Sequence, residues 1–219
     1  IFATALGVPV AQIGLIGPDT DLTPDAGKTS ASRQTFVSGN AARLCGEALR
    51  ARVLRAVNAS DRAVLSVAAG AITVDDGTSR HRIALDQLPA DGDGYVLAAS
   101  GHYDPPTKPL DENGQGSPYA QFGYAAQLAV AEVDTSLGTV RLARIVVAHD
   151  VGLAVNPMLV EGQIQGGVAQ GIGMALMEEY IPGRTENLHD YLIPTIGDIP
   201  PIEPIIIEEP DAHGPYGAK

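Results

Sequence analysis

A helix with too many glycines constrains this chain more than any other feature. Asn156-Pro157 opens it well. An asparagine oxygen can cap the first free amides, and proline fits the first turn because its missing N–H would be unpaired there anyway. The pattern predicts a helix from Pro157 to about Tyr180, yet this helix carries Gly162, Gly166, Gly167, Gly171 and Gly173. Each interior glycine costs about 1 kcal/mol relative to alanine. A helix so penalised needs a partner that comes very close. Gln163, Gln165 and Gln170 stand beside the smooth face. Bare backbone flanked by amide side chains suits a large, flat, polar ligand.

Charge and composition narrow the function classes. A net charge of −12 over 219 residues leaves nothing to neutralise phosphates in bulk, which argues against a nucleic-acid partner. The absence of Trp and the few aromatics disfavour a base-stacking surface. No apolar run is long enough to span a membrane, so no membrane association is expected. The single cysteine, Cys45, excludes an internal disulfide and a cysteine-ligated iron–sulfur cluster made by this chain alone. It reads as a small core residue and fits a reducing, cytoplasmic compartment. Ile1 to Gly7 reads as the end of an amphipathic helix closed by glycine. The expectation is therefore a fragment or a processed piece.

Along the chain, Ala11 to Ile16 alternates like a strand, and residues 17–27 form a turn-rich loop. From about Thr35 to Ala56, Val37, Ala41, Leu44, Ala48 and Ala51 recur at helical spacing. Residues 64–67 and 71–74 read as a hairpin, with Asp76-Gly77 turning toward a further strand at 82–85. Residues 95–99 read as a strand. Residues 104–118, rich in Pro, Gly and Asp, form a long loop of the kind that is uncommon without a role. A second hairpin joins 127–134 to 139–147, and residues 202–208 make a last strand. Runs of strands between two long helices define an α+β chain, two long helices with antiparallel strands and hairpins, rather than a doubly wound sheet. No internal repeat is present.

Several stretches carry candidate chemistry. Thr29, Ser30 and Ser32 bring hydroxyls to a helix start, and Arg33 adds a planar donor fork, which suits a phosphate or pyrophosphate. Read locally, the same residues are also a plain helix cap centred on Ser32. A phosphate-binding loop ending in Gly27-Lys28-Thr29 requires glycine where Leu22 stands. A dinucleotide fingerprint fails as well, because Gly167, Gly171 and Gly173 have the wrong spacing. His149-Asp150 at a strand end reads as a pair that ties down a turn. His81, His102, His189 and His213 lack metal-ligand spacing.

Taken together, Thr29 to Thr35 with Ser38-Gly39-Asn40-Ala41, His149-Asp150-Val151-Gly152 with Asn156-Pro157, the glycine-rich helix, Asp190-Tyr191-Leu192-Ile193-Pro194-Thr195, and Gly217-Ala218-Lys219 resemble the large subunit of the molybdenum hydroxylases, the xanthine dehydrogenase and aldehyde oxidase family. Order and spacing match over nearly the whole chain. The resemblance implies one molybdopterin-binding domain fragment over residues 1–219, incomplete at both ends, from the cofactor-holding half of that subunit. It implies cofactor contacts at Thr29, Ser30, Ala31, Ser32, Arg33, Gln34 and Gln163, and supports none for Gln165 or Gln170. In the family, Gly-Ala-Lys leads into Gly-Val-Gly-Glu. The catalytic glutamate is thus expected beyond Lys219, and no catalytic residue and no metal-ligating side chain are expected within the chain.

The implied reaction is oxidative hydroxylation of an aldehyde or a purine-like N-heteroaromatic carbon, with oxygen from water. The implied cofactor is molybdenum-molybdopterin, in the cytosine dinucleotide form. The implied partners are the remainder of the molybdenum subunit, an iron–sulfur subunit and an FAD subunit. A non-catalytic scaffold that keeps the fold and binds only partner subunits is the competing reading.

Overall fold

The structure is a computed structural model that describes residues 1–219. The chain divides into two compact units, Ile1–Ala120 and Gln121–Lys219.

In the first unit a short helix α1 (Phe2–Leu6) ends at Gly7, whose left-handed φ of 85° closes it. The long helix α2 (Gln34–Ala56) follows. A three-stranded antiparallel sheet then runs in the order β1 (Val64–Ala68), β2 (Ala71–Asp75), β3 (Arg80–Ala84). Ala69 and Gly70 both have positive φ, the geometry of a two-residue hairpin turn. Leu65 pairs with Val74 and Ile72 with Ile83. Leu6, Val8, Val53, Leu54, Ala63, Leu65 and Val74 form the core. Arg50 ties the layers together by donating to the carbonyls of Leu6 at 3.1 Å and Asp61 at 3.0 Å.

Three readings of this unit need correction. Residues 11–16 are not a strand. Val10–Gln12 form a 3₁₀ turn and the segment continues irregularly, with Leu15 and Ile16 exposed. Alternation alone does not make a strand without a neighbour to bond. Residues 95–99 are not a strand either. Their carbonyls serve α2 instead, since Arg52 donates to Ala98 at 2.7 Å and the Cys45 thiol to Ala99 at 3.2 Å. Tyr103 meets Phe36 edge-on at 5.8 Å and anchors the same segment. On α2 itself the buried positions are Phe36, Gly39, Asn40, Gly46, Val53 and Leu54, whereas Ala48 and Ala51 are exposed. The buried face combines the apolar Phe36, Val53 and Leu54 with close backbone approach at Gly46, and is offset from the expected stripe. A Cβ on Gly46 would lie 2.7 Å from the Ala5 Cβ and 2.8 Å from the Phe2 carbonyl oxygen.

In the second unit β4 (Ala125–Asp134) and β5 (Thr139–Asp150) form the expected hairpin. Helix α3 (Pro157–Leu176) then crosses to β6 (Ile202–Ile207), which pairs parallel with β5. A parallel partner requires such a crossover, and Pro204 suits the edge position that β6 takes. The core packs Ile164, Val168 and Ile172 of α3 against Ile145 and Val147 of β5.

The end of β5 is closed by a buried ion pair. Asp150 and Lys219, with side chains 9% and 11% exposed, are joined through Oδ2 and Nζ. Asp150 also accepts from the Gly152 amide at 3.0 Å. The Lys219 ammonium lies 5.7 Å from the centre of the Tyr124 ring. Burial pushes the Asp150 carboxyl up, but the hydrogen bond from Lys219, the Gly152 amide, the Lys219 charge and the Glu209 amide together outweigh it and hold it below the usual carboxylate range.

Two predictions follow from this packing. Gly46→Ala gains helix propensity but forces α1 and α2 apart; overpacking of about 1–3 kcal/mol wins. Gly166→Ala meets nothing within 4 Å and should stabilise α3 by up to about 1 kcal/mol. Denaturant titrations of the two variants should move in opposite directions. The ion pair sets a pH dependence. A depressed folded pKa contributes stability above the unfolded value of about 3.9, which is lost as pH falls through the folded value. Asp150→Asn should cost roughly 3–5 kcal/mol at neutral pH by leaving Lys219 buried and alone. The gap to wild type should close below about pH 4. A gap that is constant from pH 7 to pH 2 would contradict the assignment.

Candidate cofactor-binding site

The segment from Thr29 to Gln34 lies in the first unit, entirely exposed, and leads directly into α2. Ala31 and Ser32 both adopt left-handed backbone, with φ of 58° and 51°. Two consecutive non-glycine residues in this region are uncommon, and each costs on the order of 1–3 kcal/mol. The turn sets Arg33, not Ser32, at the helix cap position, and no side chain caps the helix. The first-turn amides therefore remain available as donors, at the end of a helix that favours negative charge. The reading of Ser32 as the cap is not what the geometry shows. The segment thus presents free amides, three hydroxyls and the Arg33 guanidinium on one short stretch.

Gln163 lies in the second unit, on α3. Asn156 caps this helix as expected, its side-chain oxygen accepting from the Leu159 amide at 3.2 Å. Ile164, Val168 and Ile172 point to the sheet. Gly162, Gln163, Gly166, Gly167 and Gln170 recur at the spacing that places them on the opposite side, and all are exposed. A Cβ on Gly162, Gly166, Gly167 or Gly171 would meet nothing within 4 Å. Close packing inside this unit therefore explains only Gly173. There a Cβ would collide with the Glu178 carboxylate and sit 2.8 Å from Pro194. Beyond the helix the chain folds back so that Tyr191 donates to Glu178 at 2.6 Å. That bond, with burial and the carboxylate charge, pushes the phenol pKa up. The acid at the helix end, unfavourable for its dipole, thereby gains a partner.

The structure joins stretches far apart in sequence. His149-Asp150-Val151-Gly152 meets Gly217-Ala218-Lys219 through the Asp150–Lys219 pair and through backbone bonds from Lys219 to Val151 at 2.9 Å and from Leu153 to Gly217 at 2.8 Å. Sequence reasoning placed Asp150 in a turn but had no signal for its partner, 69 positions away. No three His, Cys, Asp or Glu side chains gather as a metal-ligand set, and no helix is long and apolar enough to cross a membrane.

Residues 1–200 match the family model of the molybdopterin cofactor-binding domain. A xanthine dehydrogenase molybdenum-binding subunit from Escherichia coli O157:H7 is 31% identical over 232 residues, covering 99% of this chain and 29% of that protein. Among solved structures, the aldehyde oxidoreductase from Desulfovibrio desulfuricans superposes with a TM-score of 0.76 at 29% identity, covering all of this chain and 22% of that one. Quinoline 2-oxidoreductase from Pseudomonas putida 86 superposes with a TM-score of 0.73 at 27% identity, again over all of this chain and 28% of that one. The chain thus spans less than a third of the length of these relatives. It belongs to the molybdopterin cofactor-binding domain family and is homologous to part of a xanthine dehydrogenase molybdenum-binding subunit and of aldehyde oxidoreductases.

Proposed function

We propose that this chain is the cofactor-contacting portion of a molybdenum hydroxylase large subunit, with Thr29, Ser30, Ala31, Ser32, Arg33, Gln34 and Gln163 holding molybdopterin. One observation carries the reading. In a domain of this family, the two stretches expected to hold the cofactor are exposed, and no hydrogen bond within the chain engages the side chains of Thr29, Ser30, Ser32, Arg33 or Gln163. Their donor chemistry fits the group. Hydroxyls, free amides and a guanidinium match phosphate oxygens. A carboxamide, donor and acceptor at once, matches the edge of a pterin ring.

When bound, the cofactor supplies the redox centre that takes two electrons from the substrate carbon, with oxygen drawn from water. The chain's residues bind and orient it. Arg33 and the first-turn amides of α2 would offer donors to phosphate oxygens. Gln163 would offer its carboxamide to a pterin edge, and the bare face of α3 would allow close approach. A glutamate following Lys219 serves as general base in this reading. The substrate class is an aldehyde or a purine-like N-heteroaromatic, and the cofactor is the cytosine dinucleotide form. An iron–sulfur subunit and an FAD subunit remove the electrons in the cytoplasm.

The test is molybdenum and pterin content per protomer in the whole protein. Gln163→Ala leaves a buried cofactor group unpaired at a cost of roughly 1–3 kcal/mol. It should lower cofactor content while the melting curve stays unchanged. Arg33→Ala should do the same. Ser32→Ala, at a position that caps nothing, should leave stability unchanged and still reduce cofactor content. Wild-type content in all three variants would refute the assignment. A wild-type protein that folds, binds partner subunits and holds no molybdenum would establish the scaffold reading instead.

A further inference from the structure

The buried Asp150–Lys219 pair takes no part in the cofactor contacts proposed above. A buried ion pair contributes little net stability, because desolvation offsets attraction; apolar replacements of similar size are often as stable or more so. The pair must therefore be explained by what it fixes. Its surroundings are held at some conformational cost. Tyr216 has a left-handed φ of 56°, and Gly217 follows at 85°. Gly152, at φ 64°, lies so close to the Gly217 carbonyl oxygen that a Cβ there would collide with it. Gly214 is packed against Ala218 in the same way. Backbone bonds from Lys219 to Val151, Leu153 to Gly217, and Asp211 to Gly217 complete the junction, at 2.8–3.0 Å. The charged pair lies at this junction, at the end of the central strand, beside these backbone contacts.

We propose that Asp150 and Lys219 are positioning residues: their ion pair fixes where and in which direction the backbone passes at Lys219, and so places the residues that follow it against the end of β5. The consequence for catalysis rests on the reading that the general base follows Lys219. The fixing of the backbone does not.

The experiment compares Asp150→Asn, Lys219→Met and the double variant in the whole protein. Three readouts are taken: denaturant stability, amide hydrogen exchange at Leu153 and Lys219, and, on cofactor-loaded enzyme, kcat, KM and the pH profile of kcat. Each single variant should be destabilised. The double variant, with both charges replaced by neutral groups of similar size, should regain wild-type stability. Its exchange at Leu153 and Lys219 should nevertheless remain at least tenfold faster than wild type. Its kcat should be at least tenfold lower with KM little changed, and the basic group in its pH profile should be displaced. A double variant with wild-type exchange and wild-type kcat would overturn the proposal, since the pair would then only fill space. Should the double variant not fold, Lys219→Met alone decides, by the same exchange and kcat criteria at matched folded fraction. If the wild-type protein holds no molybdenum, the functional reading fails, and the exchange measurement still decides whether the pair fixes the backbone.

Discussion

A helix has one face to give to a sheet, and α3 gives its aliphatic stripe. Ile164, Val168 and Ile172, four residues apart, pack against Ile145 and Val147, with Val160 beside them. The opposite side is left to glycine and glutamine. The other features of the second unit follow from that choice. Because α3 lies on the sheet as a crossover, β6 can return parallel to β5. Because the stripe ends near Ile172, the chain beyond the helix folds back over Gly173. The Tyr191–Glu178 bond then closes the turn.

Glycine does two separate jobs in this protein, and only the structure tells them apart. At Gly46, Gly152 and Gly173 a methyl group would strike a neighbour, so the residue permits close approach inside the fold. At Gly162, Gly166, Gly167 and Gly171 it would strike nothing. Those four lower helix propensity with no compensating contact in the chain. In the reading proposed above, that smooth surface is where a ligand would seat.

The long helices, both hairpins and the Asn156 cap were legible in the sequence because each rests on local rules: periodicity, turn residues and a capping oxygen. The errors arose where burial is decided by a distant neighbour. Residues 11–16 alternate as a strand does and 95–99 form an apolar run, but no strand pairs with either segment. The carbonyls of Ala98 and Ala99 are instead taken by Arg52 and Cys45 of α2. The buried face of α2 joins Phe36, Val53 and Leu54 with Gly46, where α1 comes too close for a Cβ, and the expected stripe does not show that neighbour. The candidates at 29–34 and Gln163 stood out by their donor chemistry, with a plain helix cap as the competing local reading at 29–34, and only the resemblance tied them to a cofactor. Asp150 could be read as tying a turn, but its pairing with Lys219 spans nearly a third of the chain and leaves no periodic trace.

The conformation of Ala31 and Ser32 bears on why this loop has the sequence it does. Asparagine or glycine would relieve left-handed backbone at either position, yet alanine and serine stand there. Glycine would also make the turn more mobile, and each added degree of freedom would have to be lost when a ligand is held. A side chain at each position narrows the backbone choices of the loop, at the cost of local strain. The N-terminus of α2 gains by the same arrangement. With Arg33 at the cap position and no oxygen capping it, the helix keeps its first amides free rather than satisfying them internally. A sequence selected only for stability would place serine, threonine or aspartate at position 33 and gain about 1 kcal/mol. Arginine there, beside serine in a strained backbone, gives up that gain and leaves an exposed donor array of a kind suited to an anion.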